Sequence, residues 1–128
     1  MTAQEVAQAD HIPGRELAKT VVIRKGNEYY LFVLPAPKQV DFSQVRKMFN
    51  SHDVALATEK EFRGLFPDSE LGAMPPFGVI YGMKTIVDET LKTENEIAFN
   101  AGTHTDTILM FRNDYEKVVK PDYFKFAA

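Results

Sequence analysis

The sequence predicts a mixed α+β domain rather than a doubly wound parallel sheet. Strand-like runs outnumber helix-like ones and do not alternate strictly with them. One run, Tyr29–Leu34, is almost continuously apolar, as a central strand covered on both faces would be. The length, 128 residues with 45% hydrophobic and 26% charged, suits a single domain spanning residues 1–128 with one real core.

The elements follow in order. Thr2-Ala3-Gln4-Glu5 has the form of a capping box and opens a short helix to about Ala9. His11-Ile12-Pro13-Gly14 breaks it. Ala18–Arg24 is β-branched and reads as a strand. Lys25-Gly26-Asn27-Glu28 is a hairpin turn with Gly26-Asn27 at its centre, and Tyr29–Leu34 returns. Asp41 caps a helix to Phe49 with Val45, Met48 and Phe49 on one side. Val54–Ala57 is a short strand. Thr58 and Glu61 form a second capping box, and the helix it opens turns Phe62, Leu65 and Phe66 inward. Pro67 stops that helix. Val79–Tyr81 and Lys84–Val87 read as strands broken at Gly82, and Asp88-Glu89 as a turn. Glu96–Ala101 and Thr107–Phe111 are further strands. Asn113 is the expected cap of a last helix, Asp114 to about Lys120, ended by Pro121. Tyr123, Phe124 and Phe126 are expected to pack back on the body.

Charge and motifs exclude several functions. There are no cysteines, so disulfides, thiol catalysis and cysteine-ligated zinc are out. Net charge is −3 and the pI about 5.6, so any grip on nucleic acid must be small and local. DNA is not an expected partner. No run approaches the ~18 apolar residues of a membrane span, and the N-terminus lacks a signal-peptide plan. These readings suggest a cytoplasmic protein. The chain has no G-x-S-x-G elbow, P-loop or G-x-G-x-x-G. His11, His52 and His104 are far apart, and no cofactor or metal is implied.

What remains is one lysine, one histidine and stretches of stiff backbone. In Gly72-Ala73-Met74-Pro75-Pro76-Phe77-Gly78, two prolines fix φ and donate no N–H, while the glycines allow close approach. Such a loop either receives a small ligand or is a rigid turn. Lys19 opens an apolar strand and shares a face with Val21 and Ile23. It either snorkels at an edge or meets an anion at a pocket mouth. Gly102-Thr103-His104 ends a strand. His104 and Asp106, two apart, would point the same way, so the carboxylate could orient the imidazole. A polar turn is the equally open alternative.

The segments TAQEVA, HIPGRELAKTVV, VLPA, LATEKEF, GAMPPFG and FNAGTHTD, in this order and spacing, resemble the YbaK family of aminoacyl-tRNA editing domains over nearly the whole chain. Such domains are also found inserted in bacterial prolyl-tRNA synthetases. The resemblance implies a mixed, mostly antiparallel curved sheet with flanking helices and a cleft for the acceptor end of mischarged tRNA. It implies an aminoacyl-tRNA deacylase, a trans-editing hydrolase that removes a small amino acid, with alanine on proline tRNA as first candidate. A synthetase is a further implied partner. Lys19, Gly72 and Gly102 match the family's catalytic positions. Ala73, Met74, Pro75, Pro76, Phe77, Gly78, Thr103 and His104 match its substrate-binding segments. Relatives usually carry about one more helix or strand ahead of TAQEVA. The competing reading is a non-catalytic module of the same fold that holds a nucleotide, an acceptor end or a synthetase.

Overall fold

The computed structural model describes residues 17–69, 74–103 and 106–128. The expected helix at Thr2–Ala9 lies outside these residues, as do Gly72, Ala73 and His104. Strand β1 (Leu17–Lys25) and β2 (Glu28–Pro35) form the expected antiparallel hairpin. Gly26 turns it at φ +58°, a conformation that suits glycine, and its N–H donates to the Asp53 carbonyl at 3.0 Å. Helix α1 (Phe42–Phe49) is capped by Asp41, whose carboxylate accepts from the Ser43 N–H. Strand β3 (Val54–Leu56) leads to helix α2 (Glu59–Leu65). Both halves of its capping box are made: Thr58 Oγ1 accepts from the Glu61 N–H at 3.1 Å, and Glu61 accepts from the Thr58 N–H at 2.7 Å.

Strands β4 (Lys84–Asp88), β5 (Glu96–Asn100) and β6 (Thr107–Phe111), helix α3 (Arg112–Val119) and strand β7 (Asp122–Phe124) complete the fold. The sheet order is β6-β5-β1-β2-β4-β7, with β3 also paired to β1. The antiparallel pairings β1–β2, β1–β3 and β5–β6 carry more of the register than the parallel ones, β1–β5, β2–β4 and β4–β7. The expected mixed α+β sheet is therefore what forms. β2 lies centrally, and Leu31, Phe32, Val33 and Leu34 are fully buried.

Alternation along β1 and β2 divides the core. One face carries Ile23, Phe32, Leu34 and Ile86 under α1 and the C-terminal Phe126. On the other face, Val22 and Leu31 pack with Phe62, Phe66 and Met74. Beside them Ala18, Val33, Val87 and Phe99 pack with Tyr115 and Val119 of α3. No helix among the described residues is long and apolar enough to cross a membrane.

Four local expectations are corrected. Gly78–Tyr81 is a 3-10 turn, not a strand: Gly82 caps it at φ +70° and the Met83 N–H donates to the Gly78 carbonyl at 2.9 Å. Val79 and Ile80 are exposed and no described strand lies beside them. The Asp88-Glu89 turn is extended into a 3-10 helix, Glu89–Thr93, with Asp88 as its cap. Helix α3 starts at Arg112, so Asn113 lies inside it and is not its cap. Tertiary bonds do the anchoring: the Arg112 N–H donates to the Asn95 carbonyl and its guanidinium to the Glu94 carbonyl, while within the helix the guanidinium also bonds Glu116. In the tail, Phe126 is buried and Tyr123 half-buried, but Phe124 stays exposed.

Candidate active site

The site begins with an incomplete pairing. β1 is accompanied by β2 along its whole length. On its other side, β5 pairs only with Leu17 and Ala18, and β3 only from Ile23 onward. Between them the edge of β1 opens over Lys19–Val22. The Ala57 N–H reaches the Val22 carbonyl at 3.0 Å and closes the upper end of this fork. By the alternation of bonding groups, the Thr20 N–H and C=O and the Val22 N–H face this opening, and no described strand pairs with them.

An apolar cleft of about 320 Å³ lies against this fork. Thr20, Val21, Val22, Leu56, Ala57, Glu59, Phe62 and Met74 line it. Glu59 is the one ionisable group among these residues, and its carboxylate is paired with Arg63. Among the described residues, the lining offers no serine, cysteine or histidine as nucleophile or base.

Lys19 is half-buried and, as the alternation requires, shares the face of Val21 and Ile23. The cleft side chains Thr20 and Val22 leave β1 on the opposite face. Lys19 is therefore not part of the cleft lining; it sits at the fork beside it. Among the described residues, no ion pair engages its ammonium. The parallel register, with Ala18 beside Phe99, brings Lys19 level with Asn100 one step later. Two residues on, Gly102 turns the chain at φ +99°. A Cβ there would stand 3.9 Å from Ser69 Oγ, so this turn adjoins the end of α2. The structure thus brings Lys19, the Gly102 turn and the α2 terminus to one end of the sheet.

The turn after Gly102 closes on itself. Thr103 Oγ1 donates to the Asp106 carboxylate at 2.6 Å and accepts from the Asp106 N–H at 3.2 Å. The Ala101 N–H donates to the Asp106 carbonyl. Asp106 thus shapes the turn through Thr103; the expected pairing of its carboxylate with His104 lies outside the described residues.

The described part of the proline loop is a wall rather than a row of open backbone groups. The Gly78 N–H donates to Thr85 Oγ1 at 2.9 Å, and the Pro76 carbonyl accepts from the Tyr115 hydroxyl at 2.6 Å. Burial pushes the Tyr115 hydroxyl far above its ordinary pKa, so it stays a donor. Phe77 packs edge-on against Tyr115 and near Phe99. A Cβ on Gly78 would collide with Thr85 Oγ1 and the Met83 carbonyl. Gly78 is therefore required by close packing. Pro75, Pro76 and Phe77 do not line the cleft either; Met74 alone of residues 74–78 does.

Sequence reasoning missed Thr20, Leu56, Phe62 and Ser69. The signal for Thr20 was present, a second polar residue beside Lys19 in an apolar strand. Ser69 carries no such signal, because only the fold brings it to Gly102.

Comparison with known proteins adds a family. The family model for the aminoacyl-tRNA editing domain matches residues 1–118. The Escherichia coli (strain K12) multifunctional Ser/Thr-tRNA deacylase ProXp-y is 32% identical over 114 residues, covering 85% of this chain and 68% of that protein. The prolyl-tRNA editing protein ProX of Acetoanaerobium sticklandii is 23% identical over 133 residues, covering 99% and 80%. A crystal structure described as a candidate trans-editing enzyme for prolyl tRNA synthetase superposes with a TM-score of 0.82 at 21% identity, over 99% of this chain and 80% of that one. At that identity the likeness is one of fold.

Proposed function

The chain belongs to the aminoacyl-tRNA editing domain family, and from that premise we propose that it is a deacylase that clears mischarged aminoacyl-tRNA in trans. The observation that carries this reading is Lys19, a cation without an ion-pair partner among the described residues, standing at an opening in the sheet beside an apolar cleft.

An aminoacyl ester is already activated. Positioning a water and stabilising the oxyanion suffices, without a strong nucleophile. Water oxygen bonds to the carbonyl carbon, the bond to the ribose oxygen breaks, and that oxygen takes up a proton. The products are a free amino acid and an uncharged acceptor end. Lys19 holds the terminal phosphate or the ester carbonyl from the fork. Main-chain groups at Gly72 and Gly102 place the water and the α-amino group, and Ala73, Thr103 and His104 border the amino acid. Of the proline loop, Met74 contributes contact; Pro75, Pro76, Phe77 and Gly78 hold it in place.

The cargo is a small amino acid, with alanine on proline tRNA as first candidate. Val22, Leu56, Ala57, Phe62 and Met74 make the cleft apolar. An apolar pocket rejects an added hydroxyl by only about 100-fold. Serine esters should therefore be cleared within about that factor of alanine esters. The acidic chain engages few phosphates, so binding should depend only weakly on salt. It acts in the cytoplasm, where a prolyl-tRNA synthetase is the natural partner.

The test is hydrolysis of a panel of mischarged tRNAs by the wild type and by Lys19→Ala. The wild type should clear alanyl and seryl esters. The variant should lose about 100- to 1,000-fold in rate with unchanged circular dichroism. Persistence of every ester with wild-type protein would favour a binding module of the same fold. Unchanged turnover in the variant would remove Lys19 from the mechanism.

A further inference from the structure

We propose that β6 is the pairing edge of a two-fold homodimer, in which it adds antiparallel to the β6 of a second copy. β6 ends the sheet, with β5 on one side and no described strand on the other. Its exposed residues are apolar: Ile108 is 43% accessible, Leu109 41% and Phe111 60%. The opposite edge shows what a protected edge looks like. β7 has three residues, begins with Asp122 and is covered by the Lys84–Asp122 ion pair. Short edges and charges of that kind block strand addition. Thr107–Phe111 has no charge, no proline and no positive φ.

The hydrogen bonding points to the register. The Arg112 N–H donates to the Asn95 carbonyl, and the Ala101 N–H to the Asp106 carbonyl. Bonding groups alternate along an antiparallel strand. Ile108 and Met110 therefore turn their N–H and C=O toward β5, while Thr107, Leu109 and Phe111 turn theirs outward. Antiparallel self-pairing centred on Leu109 sets Leu109 opposite itself and Thr107 opposite Phe111. All three outward residues then fall at bonded positions. The same register sets Asp106 of one copy opposite Arg112 of the other, at both ends of the pairing. This charge complementarity selects a second copy over an unrelated strand. Arg112 already bonds Glu94 and Glu116, but a guanidinium has further N–H donors.

The chain has no cysteine, which allows a direct test with two single-cysteine variants. In Leu109→Cys the two thiols flank the axis with Cα atoms about 5.5 Å apart, inside the roughly 4.4–6.8 Å range of disulfides. In Thr107→Cys they are about 13 Å apart along the strands. Under mild oxidation Leu109→Cys should run as a covalent dimer on a non-reducing gel, and Thr107→Cys should not. Light scattering on wild-type protein should give a mass that climbs with concentration toward twice the chain's 14.5 kDa. Leu109→Lys sets two ammonium groups face to face and should weaken association by about two- to fivefold, since like charges directly opposite repel. Equal cross-linking of the two cysteine variants, or a mass that stays at one chain up to the solubility limit, overturns the proposal.

Discussion

The two sides of β1 behave differently. On one side, β2, β4 and β7 pair without interruption and the core is closed by a tail. Asp88 is buried there, and its carboxylate accepts from the Phe126 and Ala127 N–H groups at 3.1 and 3.0 Å as well as from Thr90. On the other side, β5 and β3 share β1 between them and leave Lys19–Val21 without a described partner strand. The closed side spends its polar groups on holding the fold. Among the described residues, the open side leaves the Lys19 ammonium without an ion pair and part of the strand edge without a partner, and the proposed chemistry sits there.

If that contrast holds, substitutions on the two sides should separate activity from stability. The largest effect expected is the loss of deacylation in Lys19→Ala at constant melting temperature. The mirror image is Asp88→Ala. Removing one buried acceptor orphans several N–H groups, each costing about 1–3 kcal/mol, so a loss of about 3 kcal/mol is expected. Chemical denaturation would measure it, with activity per folded molecule kept. A variant that lost activity but not stability would place Asp88 on the wrong side of the comparison.

Gly78→Ala comes next. It lies under the proline loop, where the added methyl meets Thr85 and Met83. Overpacking of this kind costs about 1–3 kcal/mol. Because the loop also borders the cleft through Met74, this variant should lose both stability and rate. Loss of stability alone would show that the wall can shift without disturbing the site.

The smallest effect concerns pH on the closed side. The Tyr123 hydroxyl is raised to about 12, first by burial and then by its bond to Glu116. Glu116 is lowered, chiefly by that same bond. Tyr123 therefore contributes stability fully below its ordinary 10.0, lost as pH rises through about 12. Glu116 contributes above its ordinary 4.5, lost as pH falls through its lower folded value. Tyr123→Phe should flatten the alkaline limb of a stability–pH curve and weaken the acid limb.

Much of this was legible in the chain. The hairpin at Gly26-Asn27 and the Thr58–Glu61 box are local, because the bonds that make them join residues within a few positions. The central strand showed in its apolar run. The misread segments share one cause. Val79–Tyr81 has strand-forming residues but no described strand beside it, and α3 dispenses with a side-chain cap because Asn95 and Glu94 anchor Arg112 from elsewhere. The family's motifs include Lys19 and Gly102, which the fold brings to one end of the sheet, though they could not distinguish loop residues that hold the wall from Met74, which lines the cleft.

The sequence by itself determined most element types, the central strand, the side-chain caps of α1 and α2 and the face of β1 on which Lys19 lies, since each follows from periodicity or from bonds between near neighbours. Only the tertiary structure decided that β5 and β3 divide β1, that Ser69 meets Gly102, that Gly78 is pinned by Thr85 and that β6 ends the sheet. Those contacts join residues distant in the chain. Their energy comes from burial and pairing across the sheet, which no local pattern of residues records.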